Sequence, residues 1–245
     1  MRILITNDDG WQATGIVTLA EKLSKKAEVV IVAPDHNRSA SSNSLTIGKP
    51  ISVLHGEAGR HCVYGTPADS VHIALTALLP WKPDLVVSGI NQGQNLGEDT
   101  IYSGTVAAAT EGFLYGIPAI SFSQVDPGWE HIDSAAQVAE DLIFRIYGKL
   151  SAPWLINVNI PNKPYEALRR YCVTRLGRRY PSPGVIPEMV EDGKEAYRIG
   201  PYGVIMDNQE GTDFYAIQKG WVSLTPLQID WTHYAEMSSL AEILL

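Results

Sequence analysis

Cysteine is almost missing from this 245-residue sequence, and its only two members, Cys62 and Cys172, belong to no Cys-x-x-Cys pair. A disulfide framework and a thiolate zinc or redox centre are therefore excluded, and both thiols are expected to be reduced and buried. Long apolar runs are missing too: nothing approaches the roughly 18 uncharged residues of a membrane span, and the run before Asp8 is too short for a signal segment. The expectation is a cytoplasmic protein that engages no membrane. Basic charge is scarce, with 19 Lys and Arg against 27 Asp and Glu and a formal net charge of -8. A coat for nucleic-acid polymers needs a basic face, so none is expected, although a small anion can still be held through a cation. The six histidines show no His-x-x-x-His spacing, and no Gly-x-Gly-x-x-Gly follows the first apolar run, which removes the usual zinc and dinucleotide signals.

What is present is alternation. Ile3 to Thr6 reads as a buried strand, Gly15 to Lys26 as a helix with Ile16, Leu19, Ala20 and Leu23 on one face, and Glu28 to Pro34 as a second strand. Short strand candidates at 45–47, 51–54 and 61–64 suggest an antiparallel edge, followed by a helix over Ala68 to Leu79. The alternation then resumes with strand Asp84–Ser88, a glycine-rich loop, helix Thr105–Tyr115, strand Ile117–Phe122, helix Ile132–Tyr147 and strand Trp154–Val158. This pattern predicts an α/β fold: a Rossmann-like, doubly wound, mostly parallel sheet, with a C-terminal extended arm or hairpin. Residues 1–245 read as one domain. Within it, 175–211 is rich in proline, glycine and charge and is assigned as an oligomerisation arm, with Glu195 to Ile199 as one strand of a hairpin. Trp221–Leu227 reads as a strand and 233–245 as a terminal helix whose Met237, Leu240, Ala241 and Leu244 face needs a partner.

The first strand ends in Asn7-Asp8-Asp9-Gly10. Adjacent carboxylates at the mouth of a buried strand repel one another unless a cation or a shared proton lies between them, while a plain polar turn is the competing reading. Two further strand ends decide between them. The second strand leads into Asp35 to Ser44, rich in hydroxyls and amides and including Ser39, and the Asp84–Ser88 strand leads into Gly89 to Gly97, including Asn91 and Asn95. Parallel sheets gather ligands beyond the carboxyl ends of their strands, so three distant segments converge with oxygen donors suited to a hard divalent cation. The next helix starts at Ser103-Gly104-Thr105, which reads as ordinary N-capping alone but as a phosphate site beside a cation.

These residues resemble the stationary-phase survival protein family, SurE, of metal-dependent nucleoside monophosphate phosphatases. The resemblance rests on Asn7-Asp8-Asp9-Gly10, Ala33-Pro34-Asp35 with Arg38-Ser39-Ala40, Gly65-Thr66-Pro67-Ala68-Asp69, Ser88-Gly89-Ile90-Asn91 through Asn95-Leu96-Gly97, Tyr102 to Ala108, and Val222 to Leu227. It implies one divalent metal per subunit, magnesium or manganese, held by Asp8, Asp9, Ser39 and Asn91. It also implies dimers or tetramers built partly by exchange of C-terminal arms. The implied reaction is hydrolysis of a nucleoside monophosphate, 5′ or 3′, with short polyphosphate as a further substrate. In the mechanism these residues suggest, one of the two aspartates, Asp8 in preference to Asp9, doubles as a proton relay, Asn91 and Ser39 fix the metal geometry, and the helix start at Ser103, Gly104 and Thr105, with Asn95, meets the phosphoryl oxygens.

A magnesium-binding receiver-like signalling domain is the alternative, because it too carries an acidic pair after its first strand. Where a receiver needs a phosphoacceptor aspartate, however, this chain has Ser88-Gly89. Arg175, Arg178 and Arg179 are compatible with a substrate phosphate or an acidic neighbouring subunit, although a solvated basic patch is the commoner meaning of such a run, and they are left unassigned; the tyrosines and tryptophans can stack on a base, with core packing the default for each.

Overall fold

The computed structural model describes residues 1–151, 153–189, 195–200 and 202–244. The chain opens with β1 (Arg2–Thr6), whose Ile3 to Thr6 are wholly buried because the strand is covered on both faces. Helix α1 (Thr14–Leu23) buries the stripe Ile16, Leu19, Ala20 and Leu23 and returns the chain to β2 (Glu28–Pro34), parallel to β1. β3 (Val53–His55) and β4 (Arg60–Val63) supply the expected antiparallel edge, with β4 parallel to β2. Residues 45–47 do not join it. Thr46 is drawn instead to Asp69, which accepts its N–H at 2.8 Å and its hydroxyl at 2.7 Å.

Helix α2 (Pro67–Ile73) is started by a Thr66–Asp69 capping box with proline in its first turn, and it widens into a π-helical turn over Ala74–Leu78. The next strand, β5 (Leu85–Gln92), runs four residues past the predicted end at Ser88, so half of the expected glycine loop is strand. Its register against the neighbouring strand breaks between Ser88 and Asn91. At the break Gly89 has φ +130, and a Cβ there would lie 2.4 Å from the Phe122 carbonyl oxygen. Only glycine lets the strand continue there and re-aim Asn91.

A one-turn helix, α3 (Asp99–Tyr102), precedes α4 (Gly104–Leu114), and then β6 (Ala119–Val125), α5 (Ile132–Ile146) and β7 (Leu155–Pro161) continue the alternation. β8 (Tyr171–Val173) follows, and then the arm region carries β9 (Arg178–Arg179), β10 (Val185–Met189), β11 (Glu195–Ile199) and β12 (Ile205–Asp207). The chain closes with α6 (Asp213–Gln218), β13 (Val222–Pro226) and α7 (Tyr234–Leu244). Among the described residues, nine strands form one sheet in the order β3-β4-β2-β1-β5-β6-β7-β13-β8. β10 pairs with β11 in an antiparallel hairpin, as Glu195–Ile199 predicted, and β12 pairs with β9. Leu245, the last residue of the predicted helix, lies outside the described residues.

Two cores cover the sheet. Ile3, Ile5, Val87 and Phe122 pack with Ile16 and Leu19 of α1 and Ala135, Val138 and Leu142 of α5. On the opposite face Leu4, Val32, Val86 and Ala119 pack with Val71 of α2 and Ala108 and Ala109 of α4. Cys62 is buried as expected, whereas Cys172 is only half-buried, at the β8 edge; both are free. From β1 the chain winds one way, to β2 and β4, and from β5 the other way, to β6 and β7. The winding therefore reverses between β1 and β5, and a crevice opens beyond their carboxyl ends.

Candidate active site

β1 stops because Asn7 folds the chain over: its Nδ2 donates to the Gly10 carbonyl at 2.9 Å and its Oδ1 accepts the Gly10 N–H at 3.2 Å. Asp8 and Asp9 ride on this turn at the reversal point. The loop after β2 is tied to them, with the Arg38 N–H donating to the Asp8 carbonyl at 2.7 Å and Asn37 Nδ2 donating to Asp9 Oδ1 at 3.2 Å. Asn37 is steadied in turn by the Ser39 N–H at 2.8 Å. From β5, the Gln92 N–H donates to Asp9 Oδ2 at 3.2 Å. One carboxylate thus fastens two loops that sequence separation alone would not connect.

The third approach is the start of α4. The Thr105 hydroxyl donates to Asp8 Oδ1, and the Ser103 hydroxyl accepts the Val106 N–H at 3.1 Å as the helix cap. Gly104 makes this approach possible, since a Cβ there would sit 2.8 Å from both Asp8 Cβ and Ser41 Oγ. Asp8, Ser39, Asn91, Asn95 and Ser103 all line one cleft of about 150 Å3. Asp9 stands at its margin, bonded to Gln92 of the lining. Thr105 lies beneath it, wholly buried, with its hydroxyl committed to Asp8.

Electrostatically the site is unbalanced. Burial pushes the Asp8 carboxyl up, and the hydrogen bond from Thr105 and the nearby backbone N–H groups do not cancel that rise. Burial and then the neighbouring Asp8 charge push Asp9 up to about 6, against the pull of the Gln92 N–H. None of the ion pairs among the described residues includes either carboxylate. Arg38, the basic residue of the adjoining loop, is spent on Asp35 at 2.9 Å. Ser41 Oγ, beside Gly104, is buried without a hydrogen-bond partner. Two carboxylates without a countercharge, an orphaned hydroxyl, and hydroxyl and amide oxygens on the same cleft fit a hard divalent cation. No trio of His, Cys, Asp or Glu is clustered for a metal among the described residues, so a cation here would rely on neutral oxygens and water for the remaining positions.

Several residues of the site escaped the sequence reading. Asn95 is clamped from below: its N–H donates to Asn159 Oδ1 at 2.8 Å, its carbonyl accepts from Asn157 and Asn159, and its Nδ2 donates to Ser123 Oγ at 2.7 Å. The available signal was the placing of Asn157 and Asn159 at alternate positions of a buried apolar strand, where an unpaired amide would be costly. Asp213, wholly buried at the start of α6, accepts the Gly97 and Gly177 N–H groups, both at 2.8 Å, and so joins the β5 loop to the arm. Of the arginines left unassigned, Arg178 stays exposed while pairing with Glu98, and Arg179 is nearly buried against Asp99. Tyr102 and Tyr202 are not core residues, because both line the cleft.

A mostly parallel α/β protein with an acidic, cation-demanding cleft at the point where its strand order reverses is the class that the fold and the site define. The chain belongs to the SurE family: the family model described as Survival protein SurE matches residues 3–183. That family is one of metal-dependent nucleotidases and phosphatases. The chain is also similar to the SurE protein from Aquifex aeolicus, whose crystal structure aligns with a TM-score of 0.88 and 39% identity over 100% of both chains.

Proposed function

We propose that this chain is a phosphomonoesterase that hydrolyses nucleoside monophosphates, at the 5′ or 3′ position, and short polyphosphate as a further substrate. Asp8, Asp9, Ser39 and Asn91 would hold one divalent cation per subunit, magnesium or manganese. When bound, such an ion supplies positive charge opposite the phosphoryl oxygens and makes water more acidic. The observation that carries this reading is the pair of carboxylates with donors but no countercharge, flanked by neutral oxygens from two other loops.

The chain's own groups divide the remaining work. Asp8, with its carboxyl pushed up by burial, suits a proton relay to or from the reacting water, and Thr105 fixes the carboxylate by donating to Oδ1. The start of α4 at Ser103 and Gly104 turns the positive end of a helix toward the cleft, which favours phosphoryl oxygens. Asn95, immobilised by Asn157, Asn159 and Ser123, offers a preorganised amide on the same wall. Homodimers or homotetramers, formed through the arm and α7, would cover the exposed Val185, Ile186, Tyr197, Ile199, Leu240 and Ile243.

The test is phosphate release from a panel of nucleoside monophosphates, with and without chelator, comparing wild type with Asp8→Asn. Turnover that needs the metal and disappears in the variant supports the reading. Metal-independent turnover, or a variant as active as wild type, defeats it. Phosphoryl transfer onto the chain without release would favour the receiver-like alternative.

A further inference from the structure

The segment assigned to oligomerisation also comes back to the cleft. Its root is fastened to the turn just before α4: the Arg179 guanidinium grips Asp99, Nε donating to Oδ1 at 3.0 Å and Nη2 to Oδ2 at 3.0 Å. Glu98 accepts from Arg178 Nε at 2.5 Å and from the Arg179 N–H at 2.7 Å. Arg179 also donates to the Gly203 carbonyl at 3.2 Å and lies 5.5 Å from the centre of the Tyr202 ring. The Arg179–Asp99 pair is nearly buried, with side chains 13% and 3% exposed, so it is a fixed joint rather than a surface contact.

That joint places Tyr202 on the wall of the cleft shared by Asp8, Asn95 and Ser103. Tyr202 remains 63% exposed, an aromatic residue open to solvent on an otherwise largely polar rim. At about 150 Å3 the cleft is smaller than the roughly 300–1,000 Å3 of pockets that enclose whole drug-sized ligands, so it has room for a phosphoryl group and leaves the organic part of an ester outside. The adjoining aromatic, Tyr102, is 57% exposed, and its backbone is tied to Ser42, but no guanidinium among the described residues lies over its ring.

We infer that Tyr202 is the face on which the base of a nucleoside monophosphate packs, so that the arm reads the organic part of the substrate while the strand ends handle its phosphate. This rests on the phosphomonoesterase reading above. It follows that whatever moves the arm changes the choice of substrate before it changes the chemistry.

The experiment compares adenosine 5′-monophosphate with ribose 5-phosphate, which lacks a base, in the presence of magnesium or manganese. Wild type, Tyr202→Phe, Tyr202→Leu, Tyr202→Ala and Tyr102→Ala are each assayed for kcat and KM, and for Kd by calorimetry on the nucleotide. Loss of the ring in Tyr202→Leu and Tyr202→Ala should raise KM and Kd for the nucleotide about ten-fold with little change in kcat, while ribose 5-phosphate is turned over as by wild type. Tyr202→Phe, which keeps the ring, should behave as wild type. If both substrates suffer equally, if neither does, or if the nucleotide-selective loss falls on Tyr102→Ala instead, the assignment to Tyr202 is overturned while the phosphatase stands. A wild-type protein that releases phosphate from neither substrate overturns the underlying reading and this inference with it.

Discussion

The cleft and the C-terminal extensions break the usual partition between water and core in opposite directions. At the cleft, polar groups are buried: Asn7, Asp8, Thr105, Asn157 and Asn159 have almost no access to solvent, and each is held by named partners. In the extensions, apolar groups are exposed, with Ile186, Tyr197 and Ile199 on the β10–β11 hairpin and Leu240 and Ile243 on α7, a helix with no buried residue among those described. Buried charge without countercharge costs free energy, and so does a broad apolar surface in water. The cleft lacks positive charge and the extensions lack apolar contact, so a cation would complete the first and a second copy of the chain the other.

The sharpest way to break this comparison is to remove the charge that needs the cation. Asp8→Asn should lower kcat/KM for phosphate release by about 10^3-fold, the scale of losing a group that acts on developing charge in a dry site. Circular dichroism should show the fold retained, because the amide keeps an oxygen for Thr105. Next in size is the support beneath that carboxylate. Thr105→Val deletes the donor to Asp8 Oδ1 in a wholly buried position and should cost about 10- to 100-fold in kcat, with Thr105→Ser restoring most of it. A Thr105→Val protein of full activity would mean that the Asp8 position does not depend on α4.

A milder probe is pH. Asp9 rises from the ordinary carboxyl value of about 4 to about 6 in the folded chain, and Asp8 moves in the same direction. Between those two values the folded chain binds more protons than the unfolded one. The stability of the metal-free protein therefore falls as pH rises through this window and stays lowered above it. A cation competes with the same protons, so its stabilising effect should grow with pH. Melting curves with and without saturating magnesium should show a larger rise in Tm at pH 7.5 than at pH 5. Equal shifts at the two values would detach the carboxylates from the cation.

The parts of this comparison were not equally legible in the sequence. Leu4, Val32 and Val86 sit in β-branched or apolar runs that mark their strands, and the acidic pair, Ser39 and Asn91 lie in the segments that follow those runs, which is why three loops with oxygen donors could be placed at the carboxyl edge of the sheet; the reversal of strand order there comes from the structure. Strand β5 was cut short because Gly89 and Asn91 look like loop residues; its continuation depends on the approach of the Phe122 carbonyl, which is tertiary information. Asn37 was one of many polar residues in its loop, and nothing local distinguished it as the one that reaches Asp9. The grip of Arg179 on Asp99 spans 80 residues, so a run of arginines in isolation reads as solvated. Local pattern reported the strands and their ends, whereas long-range pairing decided which polar side chains hold the site in shape.

The smallest expected effect on activity comes from the other side of the comparison. Leu240 and Ile243 on α7 are exposed in the single chain, so Leu240→Glu removes no contact within it. A surface change of that kind is ordinarily worth about 0.5 kcal/mol or less, a shift in Tm of only about 1–2 °C for a chain of this length. In an assembly the same substitution buries a carboxylate without a partner against apolar neighbours, at a cost of several kcal/mol per site. Light scattering at micromolar concentration should therefore show a multiple of the chain mass for wild type and a lower mass for Leu240→Glu, with phosphate release per subunit within about three-fold. An unchanged mass would leave the exposed face of α7 without an occupant and end the parallel with the cleft.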